Sequence, residues 1–165
     1  MKKEKKEKGI TIVALTITVI VLIILASIGI YTGSEIIKQA NLQNINTNMM
    51  LIQAKTKTIS EQAKFNKDTS NYKGTKVTEV TDNKEVEKLL SENKIEDSEN
   101  CYLLLQNDLN EMGLEKVKQD SGYIVNYETN EIIYVKGFEN KDKTYYKLSE
   151  MKDLKVDEEV AEQEK

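Results

Sequence analysis

The chain has 165 residues, a formal net charge of −4 at pH 7 and 32% charged side chains. It contains no histidine and a single cysteine, so a histidine-based triad, an ordinary zinc site and an internal disulfide are excluded. All 24 basic residues are lysine, and acidic side chains outnumber them after residue 31. This balance argues against a nucleic-acid surface built on net charge.

Recognisable catalytic motifs are missing from the sequence. The seven glycines form neither a P-loop nor a G-x-G-x-x-G pattern. Cys101 has no histidine to activate it, so we interpret it as a small apolar helix residue rather than as a nucleophile or an intermolecular bridge. The sequence therefore predicts no enzyme, no cofactor and no metal site.

The first nine residues, MKKEKKEKG, place five lysines and two glutamates before Gly9. Positive flanks hold an N-terminus on the cytoplasmic side of a membrane. An ordinary secretory signal peptide is not expected, because the apolar run that follows exceeds the usual core of roughly 7–15 residues and no small-x-small cleavage site ends it.

Residues 10–31, ITIVALTITVIVLIILASIGIY, contain no charged side chain, asparagine, glutamine or proline. A helix of this length spans roughly 33 Å, close to the ~30 Å hydrocarbon core of a bilayer. Backbone polar groups in lipid must be satisfied internally. We therefore predict a membrane-spanning helix with its N-terminus inside and its C-terminus outside.

The junction KGITIV at residues 8–13, followed by the long apolar run, resembles the leader of type IV pilins and type II secretion pseudopilins. The pattern of that family is G-F-[TS]-L-[IV]-E. The chain keeps the glycine, the threonine and Val13, and isoleucine stands in the usual phenylalanine and leucine places. It departs from the pattern at Ala14, where most of the family has a glutamate.

The resemblance implies that a prepilin peptidase cuts after Gly9 and that Ile10 is then N-methylated. In the family, the glutamate pairs with the terminal amine of a neighbouring subunit, so Ala14 implies a minor or initiating subunit rather than the filament shaft. Small residues let helices approach closely. The residues expected to take part in assembly are Thr11, Ala14, Ala26, Ser27 and Gly29.

By this resemblance the chain is a structural subunit of a type IV pilus-like filament or a type II secretion-like pseudopilus. The implied partners are the membrane, the prepilin peptidase, other pilin-like subunits and, indirectly, an inner-membrane platform protein and an assembly ATPase. The chain would lie in the cytoplasmic membrane before assembly and in an extracellular filament afterwards. The alternative is an uncut single-pass anchor that carries an extracellular binding or adaptor module.

An apolar stripe continues the helix through residues 32–66. Its members recur at steps of three, four or seven; they are Leu42, Ile45, Met49, Ile52, Ile59 and Ala63. We expect one long helix from residue 10 to about residue 64, with one face of its second half against a domain. Gly33 leaves open the alternative of two helices that meet at a bend.

Short helices are predicted between the long helix and the C-terminal strands. Residues 66–83 are polar and are predicted to be an irregular connection. Asp82-Asn83 supplies an N-cap for a helix directly after it. A further helix is expected over residues 99–110, with Gly113 as its C-terminal stop.

Residues 67–149 as a whole are predicted to be a small globular part that ends in strands. Residues 123–127 and 132–136 are β-branched and aromatic, which predicts a hairpin. Asn130 between them tolerates the positive φ that such a turn needs. After a turn-rich loop at residues 137–143, residues 144–148 are a candidate third strand.

The predicted fold class is therefore α+β, with a long N-terminal helix packed on a small antiparallel β-meander and short helices between them. A small sheet laid across the second half of an N-terminal helix resembles the pilin fold. Residues 150–165 are acidic and poor in apolar side chains, so we predict a flexible tail that is either disordered or a frayed helix. The loop at residues 140–142 offers oxygen atoms to calcium, but its spacing matches no EF-hand pattern, and a solvated turn is the favoured interpretation.

Overall fold

The computed structural model describes the backbone of residues 4–118 and 120–156, and the side chains in those ranges except at residues 4–13 and 24–34. The described chain divides after Ala40 into two units, and the second unit is Asn41–Val156. Helix α1, Glu4–Asn66, contributes to both units. Its helical assignment continues through Gly33 and ends two residues beyond the predicted position.

The second unit contains one antiparallel sheet whose five strands lie side by side in chain order. The strands are β1 (Thr75–Lys76), β2 (Cys101–Leu104), β3 (Tyr123–Asn126), β4 (Ile132–Asn140) and β5 (Lys143–Lys147). The predicted hairpin is confirmed as β3 and β4, with Ile124 opposite Ile133. Asn130 in its turn has a φ of 59°. The α+β class and the meander are therefore confirmed.

Strand β4 is longer than the sequence pattern predicts. The prediction of a turn-rich loop at residues 137–143 is wrong, because β4 continues to Asn140 and pairs with β5. Gly137 has a φ of 73° and lies within a register shift between Ile133 and Phe138. This glycine therefore accommodates an irregularity inside the strand instead of ending it.

The helix predicted over residues 99–110 is wrong in its first half. Cys101–Leu104 forms β2, and only Gln106–Glu111 is helical, as α3. The Asp108 carboxylate accepts the backbone N–H of Leu105 at 2.8 Å and so starts α3 at that point. Gly113, with a φ of 74°, follows the end of the helix as predicted.

The sheet is covered on both faces, whereas the sequence predicts packing only for the face that meets the long helix. One face packs against α1 through a cluster that includes Leu104, Tyr123, Val125, Tyr127, Ile132 and Tyr134. The other face packs against α2 (Lys84–Ser91) through a second cluster that includes Cys101, Leu103, Ile124, Ile133 and Val135. The predicted cap of α2 is confirmed, because the Asn83 side chain accepts the N–H groups of Glu85 and Val86 at 3.1 Å.

The predicted apolar stripe of α1 is confirmed as its contact with the sheet. Leu42, Met49, Ile52 and Ala63 are buried. Ile45 and Ile59 are partly buried and pack against the same cluster. The second half of α1 is therefore an integral part of the domain core.

The start of the acidic tail is packed rather than free. Helix α4, Leu148–Met151, buries Met151 completely. Leu154 and Val156 also pack against the cluster beneath α1. The prediction of a flexible tail is therefore wrong for residues 150–156. Met151, Leu154 and Val156 are widely spaced in the sequence, but their packing attaches this segment to the domain. Residues 157–165 lie outside the described part of the chain.

Gly74 offers a direct test of the packing between the α1–β1 connection and β2. It has a φ of 95°, and a Cβ atom there would lie 2.5 Å from the Leu103 carbonyl oxygen. Gly74→Ala is expected to lower the free energy of unfolding by about 3 kcal/mol, from backbone strain and this clash together. Urea denaturation of the full chain in detergent, followed by near-ultraviolet circular dichroism, measures the loss.

The matched control is Gly113→Ala. Gly113 has a φ of 74°, but a Cβ atom there would meet nothing within 4 Å. It therefore carries the backbone strain without the clash, and we expect a loss of about 1 kcal/mol. Equal losses for the two variants would contradict a role for the Gly74 contact.

Candidate functional site

Residues 14–23 of α1, ALTITVIVLI, form a segment that we call the exposed apolar segment. All ten of its side chains are exposed, and the large apolar ones range from 47% at Val19 to 64% at Leu15. The Thr18 hydroxyl donates a hydrogen bond of 2.8 Å to the Leu15 carbonyl oxygen, so its polarity is satisfied within the helix. The segment therefore presents a largely apolar surface around its whole circumference.

An apolar helix surface of this kind requires a covering. Burying a leucine or isoleucine side chain is worth about 1.5–3 kcal/mol relative to leaving it in water. A helix that is apolar all round is typical of a membrane span or of a helix surrounded by other helices. Among the residues that the structure describes, no helix combines the length and the apolarity that a bilayer crossing requires.

Of the residues with a predicted role in processing or assembly, only Ala14 has a described side chain. Ala14 is exposed on α1 at the start of the exposed apolar segment. Gly9, Ile10 and Thr11 lie in the helical backbone of α1. The same holds for three further predicted residues, Ala26, Ser27 and Gly29. The side chains of these six residues lie outside the described part. Within the predicted span, the structure describes side chains only at residues 14–23.

Polar contacts that the apolar stripe does not predict also attach α1 to the domain. The Ser60 hydroxyl donates to the Tyr127 carbonyl oxygen at 2.7 Å. The Gln53 amide donates to the Asn130 carbonyl oxygen at 2.8 Å, and the Asn46 amide to that of Met151 at 2.9 Å. These bonds fix the axial position of the helix against the β3–β4 turn and α4. Spacing indicates one of these contacts, because Ser60 follows Ile52 by two four-residue steps and so lies on the same buried face of α1.

Three tyrosines hold the connection that leaves α1. Tyr72 stacks on Tyr127 with ring centroids 4.0 Å apart, and Tyr102 meets both rings edge to face. The Tyr127 hydroxyl accepts the Lys73 N–H at 2.9 Å and donates to the Lys73 carbonyl oxygen at 3.2 Å. Burial raises the pKa of Tyr127 to about 12, so this hydroxyl keeps its proton at neutral pH.

Cys101 lies in strand β2, not in a helix as predicted, and it is buried. Its thiol donates to the Glu96 carbonyl oxygen at 3.5 Å. Burial raises the pKa of Cys101 to about 11. The sulfur is therefore a neutral thiol at physiological pH, which makes it a poor nucleophile.

The turn at residues 140–142 is attached to the C-terminal segment by a side-chain hydrogen bond. The Asn140 amide donates to the Lys155 carbonyl oxygen at 3.2 Å. Lys141 has a φ of 53° between strands β4 and β5. Within residues 4–118 and 120–156, no group of three or more acidic, histidine or cysteine side chains is close enough to share a metal ion.

Comparison with protein-family models, with curated proteins and with solved structures gives no match. The resemblance to a prepilin leader therefore rests on residues 8–13 and the apolar run that follows them. The most distinctive feature for function among the described residues is the exposed apolar segment of α1.

Proposed function

We propose that this chain is a pilin-like structural subunit of a type IV pilus-like or type II secretion-like filament. The observation that carries the proposal is that one helix contains two different surfaces. Its exposed apolar segment carries large apolar side chains that are 47–64% exposed, and its later part packs on an antiparallel sheet. A helix with this division anchors or assembles at one end and carries a folded domain at the other.

The proposed maturation begins at the junction before the segment. The basic residues 1–8 hold the N-terminus in the cytoplasm, so the chain crosses the cytoplasmic membrane once with its domain outside. A prepilin peptidase cuts after Gly9, and Ile10 becomes the N-methylated terminus. The domain would then have the pilin fold, in which a small sheet packs across the second half of the N-terminal helix.

Assembly would replace lipid by helices around the exposed apolar segment. Lipid tails are as apolar as leucine, so the gain comes from close packing and not from leaving water. Small side chains at Ala14, Ala26, Ser27 and Gly29 favour such packing, together with the motif residue Thr11. The platform protein and the assembly ATPase would supply the work of extraction, and the partners in the filament would be other pilin-like subunits.

Intact-mass measurement of the membrane-extracted protein tests the proposal. In cells with an active prepilin peptidase we expect loss of residues 1–9 and one added methyl group. In matched cells without the peptidase, the full mass should remain. A chain that keeps residues 1–9 in both strains would instead be an anchored binding or adaptor module.

Ala14→Glu tests the position of the subunit in the filament. A glutamate in lipid is costly unless it meets a partner such as a free terminal amine. If Ala14 confines the chain to a minor position, a pairing of the introduced carboxylate worth about 1.4 kcal/mol should raise its abundance in sheared filaments about tenfold. Quantitative mass spectrometry of the filaments measures this ratio.

The control for this prediction is Ala14→Gln, which adds similar volume without charge. We expect it to leave the abundance in sheared filaments unchanged. A wild-type chain that is already the most abundant filament subunit would contradict the minor position, while the pilin-like proposal would stand.

A further inference from the structure

The two helices that cover the sheet carry exposed charges of opposite sign. From residue 41 onward, α1 has three lysines and one glutamate. Residues 79–99, which include α2, have eight carboxylates and three lysines, a net charge of −5. Because α1 and α2 pack on opposite faces of the sheet, the positive and the negative surface lie on opposite sides of the domain.

The negative side, which we call the acidic surface, consists of the carboxylates of residues 79–99. All eight are exposed. Within residues 4–118 and 120–156, two of them form ion pairs. Glu92 pairs with Lys88 at 3.8 Å, and Glu96 pairs with Lys147 at 2.6 Å. The other six carboxylates repel one another, and a cationic partner would relieve that repulsion.

The positive side is the outer α1 face, by which we mean the exposed row of α1 that lies away from its buried stripe. Its large apolar side chains are Met50, Leu51 and Phe65, which are 43%, 48% and 89% exposed. At about 3.6 residues per turn, Lys55 lies on one side of this row and Lys57 on the other. The face therefore combines apolar contact area with flanking positive charge.

This face is unusual for a helix that packs on a domain by one side. Such helices carry charged residues on the side that faces water, whereas residues 41–54 of α1 have no charged side chain at all. The two flanking lysines are exposed. Lys57 lies 4.0 Å from Glu61 in an exposed pair that contributes little. Lys55 forms no ion pair within the described residues. Both lysines are therefore available to a partner.

Charge decides which surface fits the outer α1 face. Two such faces would bring lysines against lysines, and two acidic surfaces would bring carboxylates against carboxylates. The outer α1 face of one copy and the acidic surface of another bring opposite charges together. Val80 and Leu90 are partly exposed among the carboxylates and add apolar contact area on that side.

We propose that the outer α1 face of one copy of this chain docks on the acidic surface of a second copy. The contact joins two different surfaces, so each copy keeps one surface of each kind free and the contact can recur head to tail. The inference rests on the proposed function for its place in a filament. The contact itself needs two adjacent copies of the folded domain, because both surfaces lie in Asn41–Val156.

Zero-length carbodiimide cross-linking of the full chain in its membranes tests this contact. The reagent joins a lysine to a carboxylate that it touches, and mass spectrometry identifies the joined peptides. We expect links from Lys55 or Lys57 to residues 79–99, in matched cells with and without the prepilin peptidase. These links cannot form within one copy, because the two surfaces lie on opposite sides of the domain. The Lys147–Glu96 pair at 2.6 Å is the control link within a copy.

Reversing the charges on each side tests whether they choose the partner. Lys55→Glu with Lys57→Glu, and separately Glu87→Lys with Glu92→Lys, should each lower the yield of cross-linked dimer about fivefold, the effect of about two exposed ion pairs. A chain with all four substitutions should recover the dimer, because opposite charges meet again. All four positions are exposed, and lysine and glutamate both favour helix, so the variants are expected to fold.

The matched control is Lys116→Glu with Lys118→Glu. Both lysines are exposed and belong to neither surface. Their reversal changes the net charge as much as the two substitutions on α1, and it should leave the dimer yield unchanged. An equal loss would show that net charge governs association, and it would overturn the proposed contact.

Three further outcomes overturn the proposal. They are a Lys147–Glu96 link without any link between the two surfaces, failure of the fourfold variant to recover the dimer, and links from the outer α1 face to a different protein. If the leader is cut but the two surfaces do not join, this inference fails and the proposed function stands. If the surfaces join while the leader stays uncut, the proposed function fails and this inference stands.

Discussion

Replacing Ile52 with aspartate is expected to abolish cooperative folding of the domain. Ile52 is 0% exposed and lies in the cluster that joins α1 to the sheet. A carboxylate at this site would be buried without a partner, and the lost isoleucine would leave unfilled volume. Together these effects cost about 4 kcal/mol or more, which is a large part of the stability of a small domain.

Leu51→Asp is the matched control for this prediction. Leu51 is the adjacent residue on α1 and is 48% exposed, so a charge there remains in water. We expect a change within about 1 kcal/mol from helix propensity alone. Near-ultraviolet circular dichroism follows both variants, because tyrosines 72, 102, 123, 127 and 134 pack within the domain. Equal thermal midpoints for the two variants would show that the stripe is not the core.

The features that the sequence predicts well are those with a strong local period. The α1 stripe repeats at helical spacing over six positions, so its buried face follows directly. The β3–β4 hairpin combines β-branched runs with Asn130, which takes a φ of 59° as expected. The cap at Asn83 is equally local, because its side chain bonds two N–H groups within three residues.

The errors occur where tertiary contacts decide between local alternatives. The run of apolar residues at 101–105, CYLLL, suits a short helix or a strand buried on both faces. Pairing with β3 on one side and β1 on the other selects the strand. Gly137 reads as a turn residue, but pairing with β5 keeps it inside β4. Neither strand β2 nor the continuation of β4 through Gly137 can be predicted without knowing the partner strand.

The contacts around the candidate site divide in the same way. The exposed apolar segment is evident from the composition of residues 14–23. The polar contacts of Gln53 and Asn46 are not, because they bond to the carbonyl groups of Asn130 and Met151, which lie far along the chain.

Replacing Gly9 with valine is expected to leave the leader attached and the subunit unassembled. The proposed peptidase accommodates a residue without a side chain beside the scissile bond. A branched Cβ with its two methyl groups would cost about 3 kcal/mol in a site fitted to glycine, which slows cleavage about 100-fold. The uncut chain should stay in the membrane, because the lysines at residues 1–8 do not cross a bilayer.

A series of three variants makes this result specific to the junction. Gly9→Ala adds one methyl group and should slow cleavage less than Gly9→Val. Gly33→Val makes the same substitution on α1, far from the proposed bond, and should leave cleavage unchanged. Intact mass after pulsed expression measures the fraction that has lost residues 1–9. If Gly9→Val matures at the wild-type rate, residues 8–13 are not a prepilin leader, and the exposed apolar segment is then an anchor for the folded domain at Asn41–Val156.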